Sequence, residues 1–214
     1  MKIAPSLLSC DFTKMGEEIR NLESAGADWA HLDVMDGHFV TNLTFGLPVI
    51  AALRRVSQLV FDVHLMIEDP EPYLSRYIDA GADVLTVHYE ACRDVSSALR
   101  QIRERGKLAG LSIKPGTPAK AVYPYLSEAD MILVMTVEPG YGGQALIPAC
   151  LDKVREIKAY AESVGQRILV EVDGGVNTKN ASEVRASGAD ILVAGSAVFG
   201  AANRAAAIRA LREA

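Results

Sequence analysis

The chain has 214 residues, half of them hydrophobic, with a net charge of −5 and a pI near 5.4. That balance argues against general nucleic-acid binding, which needs a basic face, and no apolar run approaches the roughly 18 residues of a membrane span. The N-terminus lacks a signal-peptide pattern, and Cys10, Cys92 and Cys150 are scattered and fit no zinc spacing, so a reduced, cytoplasmic protein is expected.

Taken in order, apolar runs with strand character alternate with stretches of helical spacing. Lys2 to Ser6 reads as a first strand and Thr13 to Ala25 as a helix stopped by Gly26. Asp28 to Val34 is a second strand, followed by a helix over Gly46 to Val56 with Pro48 in its first turn. Strand Leu59 to Leu65 precedes helix Pro70 to Ala80, and strand Ala82 to His88 precedes the charged helix Val95 to Arg105. Strand Lys107 to Ile113 leads to a short helix over Pro118 to Leu126. Strand Ala129 to Met135 leads to the longest helix, Pro148 to Val164. Strand Arg167 to Val172 and helix Asn177 to Ala186 follow. Strand Ile191 to Ala194 comes last, with Ser196 as N-cap of a final helix running toward Ala214.

Eight strand–helix units imply parallel strands joined by right-handed crossovers. A weak repeat runs through them: Ala25-Gly26-Ala27-Asp28, Ala80-Gly81-Ala82-Asp83 and Ser187-Gly188-Ala189-Asp190, with Glu128-Ala129-Asp130 a degenerate copy. Five residues beyond each Asp stand Asp33, His88, Met135 and Gly195, at one depth near the C-terminal strand ends. Candidate functional residues run from Ser6 to Ser196, and first and last strands are neighbours only in a closed sheet. The expected fold is therefore an α/β protein, a closed (β/α)8 TIM barrel as one domain over residues 1–214, with an open doubly wound sheet as the runner-up.

The chemistry concentrates at three strand ends. In His31-Leu32-Asp33-Val34-Met35, side chains alternate, so His31, Asp33 and Met35 share one face. Phe61-Asp62-Val63-His64-Leu65-Met66 repeats that pattern, and Glu171-Val172-Asp173-Gly174-Gly175 ends a third strand. An isolated His-x-Asp is as often structural as ligating, but three such ends point to His31, Asp33, His64 and Asp173 converging on one metal. Two imidazoles and two carboxylates suit Zn²⁺, with Fe²⁺, Mn²⁺ or Co²⁺ also admitted. Asp33 and Asp173 come from different sides of the mouth, which suits proton removal from one face of a carbon and return to the other. Ligation lowers a carboxylate's basicity, so burial has to oppose it.

Met35, Met66 and Met135 also fall at strand ends. Each alone is ordinary core filling; together they form an apolar lid that excludes water. Pro139-Gly140-Tyr141-Gly142-Gly143-Gln144, Gly174-Gly175 and Gly195-Ser196 are glycine-rich loops on the same face. The loops after strands seven and eight are the recurrent barrel phosphate site. Four residues are less defined. His88 is either a partner of the site or a satisfied structural histidine, His38 belongs to the surface or a lid rather than to the ligands, Trp29 packs in the core or between helices, and Glu171 needs a partner such as Lys2 or Lys107.

Over nearly its full length the chain resembles ribulose-phosphate 3-epimerases. The resemblance rests on Ile3-Ala4-Pro5-Ser6-Leu7-Leu8, His31 to Val40, Asp62 to Met66, Met135 to Gln144, Glu171 to Gly175 and Ala194 to Ala197. It implies conversion of D-ribulose 5-phosphate to D-xylulose 5-phosphate through a 2,3-enediolate, in a ribulose-phosphate-binding barrel. By position, His31, Asp33, His64 and Asp173 match the family's metal ligands, Asp33 its proton acceptor and Asp173 its proton donor. Ser6 and His64 match substrate contacts, and Gly140, Tyr141, Gly142, Gly143, Gly174, Gly175, Gly195 and Ser196 match the phosphate-side loops. A homo-oligomer, dimer or hexamer, is implied as well. Thr41, where many relatives place Pro, and Lys114-Pro115-Gly116 depart from the common pattern without touching these residues. Three alternatives remain at this point: a 3-epimerase for a hexulose phosphate such as D-allulose 6-phosphate, an aldolase or decarboxylase that would need a Lys-bearing strand end, and a sugar-phosphate-binding barrel without turnover.

Overall fold

The computed structural model describes residues 1–214. Eight parallel strands form one sheet: β1 (Lys2–Pro5), β2 (Trp29–Met35), β3 (Val60–Met66), β4 (Val84–His88), β5 (Leu108–Ile113), β6 (Met131–Met135), β7 (Leu169–Asp173) and β8 (Ile191–Ala194). Each strand pairs with its sequence neighbour, and β1 pairs with β8. A parallel bridge between Ser6 and His31 draws β1 against β2 and closes the ring. The helices are α1 (Met15–Ser24), α2 (Leu47–Arg54), α3 (Leu74–Ala80), α4 (Val95–Glu104), α5 (Cys150–Ser163), α6 (Ala181–Ala186), α7 (Ser196–Phe199) and α8 (Arg204–Glu213). The closed barrel expected from the alternation is the fold observed.

The apolar strand runs have a simple cause: the strands are covered on both faces. All seven residues of β2 are buried. Outward-facing Leu32, Val34, Val63, Leu65, Val170 and Val172 pack in the same cluster as helix residues such as Ile19, Ile50 and Val154. The inward face is divided by height. Ala4, Trp29, Val84, Met131, Ile191 and Val193 fill the lower interior. Trp29 thus plugs the barrel itself rather than a helix interface, with Lys2 Nζ 4.6 Å above its ring. Above this apolar floor the interior is polar: His31, Asp33, Asp62, His64, Thr86, His88, Ser112 and Glu171 are all buried.

The sequence repeat has a definite structural role. In each copy the Asp entering an even strand grips the preceding odd strand twice. The Asp28 N–H donates to the Ile3 carbonyl at 3.0 Å while its carboxylate accepts from the Ile3 N–H at 2.8 Å. Asp83 does the same to Phe61, Asp130 to Ala109 and Asp190 to Val170. Each carboxylate also meets a cation: Arg212 on Asp28, Arg54 and Lys107 on Asp83, Arg103 on Asp130, Lys158 on Asp190. Strands are thereby clasped in pairs at the barrel floor, and the register that sets side-chain depth at the mouth starts there.

Two helix expectations are corrected. Residues 118–126 form two 3₁₀ turns, Ala119–Ala121 and Tyr123–Tyr125, because Pro124 has no N–H to continue an α-helix. The final helix is split into α7 and α8; the chain leaves helix at Gly200 and restarts at Asn203, whose side chain accepts from the Ala206 N–H. Ser196 is the first residue of α7 and makes no capping bond; Gly195 occupies the cap position. The three cysteines are unpaired, and no helix is long and apolar enough to cross a membrane.

Candidate active site

At the C-terminal mouth, β2, β3 and β7 bring the four predicted donors together. His31 Nε2 and His64 Nδ1 each lie 3.3 Å from Asp33 Oδ1 and 3.7 Å from Asp173 Oδ2. Donors about 2.0–2.1 Å from a tetrahedral zinc stand about 3.3–3.4 Å apart, so these spacings fit one cation with little movement. His31 Nε2 is buried without a hydrogen-bond partner, a state expected of a nitrogen kept for a ligand. The set of His31, Asp33, His64 and Asp173 has the donor chemistry to hold a divalent metal.

The histidines are aimed by groups on the far side. Asp62, opposite His31 in the β2–β3 register, sits 2.5 Å from His31 Nδ1, so His31 donates there and turns Nε2 toward the cluster. His64 Nε2 lies 2.8 Å from His88 Nε2. The Ser6 hydroxyl donates to Asp33 Oδ2 at 2.5 Å and accepts from the Leu8 N–H, placing β1 at the site. Glu171 differs from expectation: Lys107 pairs with Asp83 and Lys2 covers Trp29. Glu171 lies fully buried beneath the cluster, close to Asp62 and His31.

The two carboxylates of the cluster are driven apart in proton affinity. Burial raises the Asp173 pKa, and the Asp33 charge raises it further, to about 6. Burial acts on Asp33 too, but the charge and hydrogen bonds of His31 and His64 outweigh it and hold Asp33 well below the carboxylate range. Burial likewise disfavours charge on His31, yet Asp33 and Asp62 together push its pKa well above the ordinary value. For Glu171, burial and then the Asp62 charge push the pKa far up. Burial lowers His88 to about 4.

A cavity of about 500 Å³ opens over the cluster, with Asp33 and Asp173 in its lining and His31 and His64 fully buried behind them. Met35 and Met66 pack together with Val40 on one side, while Met135 stands across the mouth with Leu133 and Val137. All three methionines are buried and line the cavity wall. The far wall is Gly140, Tyr141, Gly142 and Gly143, with Gly174, Gly175, Gly195 and Ser196. Gly175 has φ +70°, and a Cβ there would sit 2.3 Å from the Leu146 N, so the loop after β7 presses on the loop after β6 as only glycine permits. Tyr141 projects from the rim, 62% exposed. His38, as expected, is an exposed loop residue.

Residues 2–199 match the model of the ribulose-phosphate 3-epimerase family. The chain belongs to that family. It is 46% identical over 213 residues to a ribulose-phosphate 3-epimerase of Bacillus subtilis strain 168, covering 99% of this chain and 98% of the relative. A ribulose-phosphate 3-epimerase of Rhodobacter capsulatus is 50% identical over 200 residues, covering 93% of this chain and 86% of that one. Among solved structures, 3-keto-L-gulonate-6-phosphate decarboxylase of Vibrio cholerae superposes with a TM-score of 0.75 at 20% identity, over 99% of this chain and 95% of that one. That likeness is one of fold.

Within this family member, sequence reasoning passed over Asp62 and Glu90. Asp62 alternates with His64 on β3, so period two already puts it on the inward face. Its pairing with His31 depends on strand register, which only the fold supplies. Glu90, two residues past β4, lies 3.2 Å from His88 Nδ1, and nothing in its loop sequence marks it.

Proposed function

We propose that the chain interconverts D-ribulose 5-phosphate and D-xylulose 5-phosphate by proton transfer at C3, through a 2,3-enediolate. The observation that carries this proposal is the pair Asp33 and Asp173: a buried carboxylate on β2 and a partly buried one on β7 line one cavity. Two carboxylates that reach one cavity from different strands can serve as base and acid on opposite faces of a carbon. Asp33, ionised and steadied by Ser6, removes the C3 proton. Asp173, which holds a proton more readily, returns one to the opposite face. Between the steps the planar intermediate sits under Met35, Met66 and Met135, which keep water from it.

His31, Asp33, His64 and Asp173 would hold one divalent cation, Zn²⁺ best suiting the donor set and Fe²⁺, Mn²⁺ or Co²⁺ being the others it admits. When bound, such an ion offsets the negative charge that develops on the substrate oxygens. His64 and Ser6 contact the substrate's reacting end. The phosphate lies against backbone N–H groups of Gly140, Gly142, Gly143, Gly174, Gly175, Gly195 and Ser196, beside Tyr141. The first N–H groups of a helix have no partner within it, which supports Ser196 in that role, and anion binding by backbone suits an acidic chain. The family resemblance carries the further proposal of a cytoplasmic homo-oligomer, dimer or hexamer.

The test is incubation of the purified chain in D₂O, separately with D-ribulose 5-phosphate and D-allulose 6-phosphate, following C3 by NMR. Deuterium at C3 with product on the pentulose alone is the expected result. Preference for the hexulose would keep the chemistry and change the substrate, and exchange on neither would end the epimerase proposal.

A further inference from the structure

His88 stands at the C-terminal end of β4, fully buried, and no proton transfer proposed above uses it. Its Nε2 is 2.8 Å from His64 Nε2 and its Nδ1 is 3.2 Å from Glu90 Oε2. Two ring nitrogens that close share one hydrogen bond, so one donates and the other accepts. His64 Nδ1 faces Asp33 and Asp173, and a nitrogen that ligates a cation must offer its lone pair, leaving the proton on the other ring nitrogen. His64 Nε2 then donates to His88 Nε2, and the His88 proton sits on Nδ1, aimed at Glu90.

Glu90 is fixed at the end of this chain. Its Oε1 accepts from the Lys114 N–H at 2.8 Å and from the Thr117 hydroxyl. The Lys153 ammonium holds the same loop through the carbonyls of Lys114, Pro115 and Thr117 at 3.0, 2.6 and 2.6 Å. The Phe39 ring lies tilted against His88, 4.7 Å between centroids, and 3.7 Å beneath Lys114 Nζ. Both Glu90 oxygens are therefore committed as acceptors, which sets the direction of every bond inward to His64.

We propose that Glu90 and His88 are positioning residues that select the His64 tautomer with a bare Nδ1, and so prepare the fourth-strand side of the cluster for a divalent cation. The proposal rests on the metal-site reading above. Glu90→Gln is the sharp probe, because an amide has one acceptor where the site needs two. With its NH₂ toward His88, the His88 proton moves to Nε2 and opposes the His64 Nε2–H. With its oxygen toward His88, the NH₂ opposes the Lys114 N–H.

The experiment is Zn²⁺ affinity of the full chain, by competition with a chromophoric chelator, for the parent, Glu90→Gln, His88→Leu and His88→Gln. Glu90→Gln and His88→Leu should bind Zn²⁺ about 10–100-fold more weakly. His88→Gln, whose amide oxygen can accept from His64, should recover most of the loss, which a merely space-filling role would not predict. In the zinc-loaded parent, ¹⁵N NMR should find His88 protonated on Nδ1. Should His88→Leu fail to fold, Glu90→Gln and His88→Gln carry the test. Parental affinity in Glu90→Gln, or a proton on His88 Nε2, overturns the relay alone, whereas a parent that binds no Zn²⁺ overturns the metal site with it.

Discussion

Asp173 is the residue on which the proposed chemistry turns. Asparagine preserves its shape and removes its proton exchange, so Asp173→Asn should keep substrate binding and lose about 10²–10⁴-fold in turnover. C3 deuterium exchange measures this, and parental exchange would remove Asp173 from the proton path. The same substitution has a stability signature in metal-free protein. With the Asp173 pKa raised to about 6, the folded form between pH 4 and 6 keeps a proton that the unfolded chain has released. Its contribution to stability therefore falls as pH rises through that window. Metal-free Asp173→Asn should gain on the order of 1–3 kcal/mol over the parent at pH 8 and lose the advantage below pH 4, in urea titrations across pH.

At the scale of elements, the Asp clasps and the glycine contacts link barrel register to the mouth. Asp190 accepts from the Val170 N–H at 2.8 Å and also pairs with Lys158. Asp190→Ala should cost about 1.5–3 kcal/mol in urea unfolding, the loss of a charge-assisted bond that leaves a donor unmet. A cost under about 0.5 kcal/mol, the range of an inert surface change, would reduce the clasp to decoration. Gly175→Ala places a methyl against the Leu146 N in a left-handed conformation, with about 1–3 kcal/mol of backbone strain before any clash. Sugar-phosphate binding should weaken more than the chemical step slows, read as a rise in KM larger than the fall in kcat.

For the whole molecule, folding should be separable from metal binding. The apolar floor and the strand–helix interface include none of the four donors, so chelation should abolish epimerisation and leave far-ultraviolet circular dichroism near that of the loaded protein. Unfolding on chelation would show that the metal holds the barrel together.

Much of this was legible in the sequence because the signals are local. Strand–helix alternation, period two in His31-Leu32-Asp33 and the Asp repeat each depend on neighbours along the chain, and they placed the fold, the four donors and the glycine loops. The split of the last helix and the 3₁₀ turns around Pro124 follow from local breakers whose weight against helical spacing is hard to rank. The partners of the site were not legible. Asp62 meets His31 through the β2–β3 register, Glu171 is left beneath the cluster with no lysine, and Glu90 reaches His88 and the loop after β5 from its own. Sequence alone determined which residues stand at the mouth, since depth and face follow from periodicity. Tertiary structure decided what each of them touches, and so which nitrogen is bare and which carboxylate keeps its proton, because those depend on burial and on charges carried by other strands.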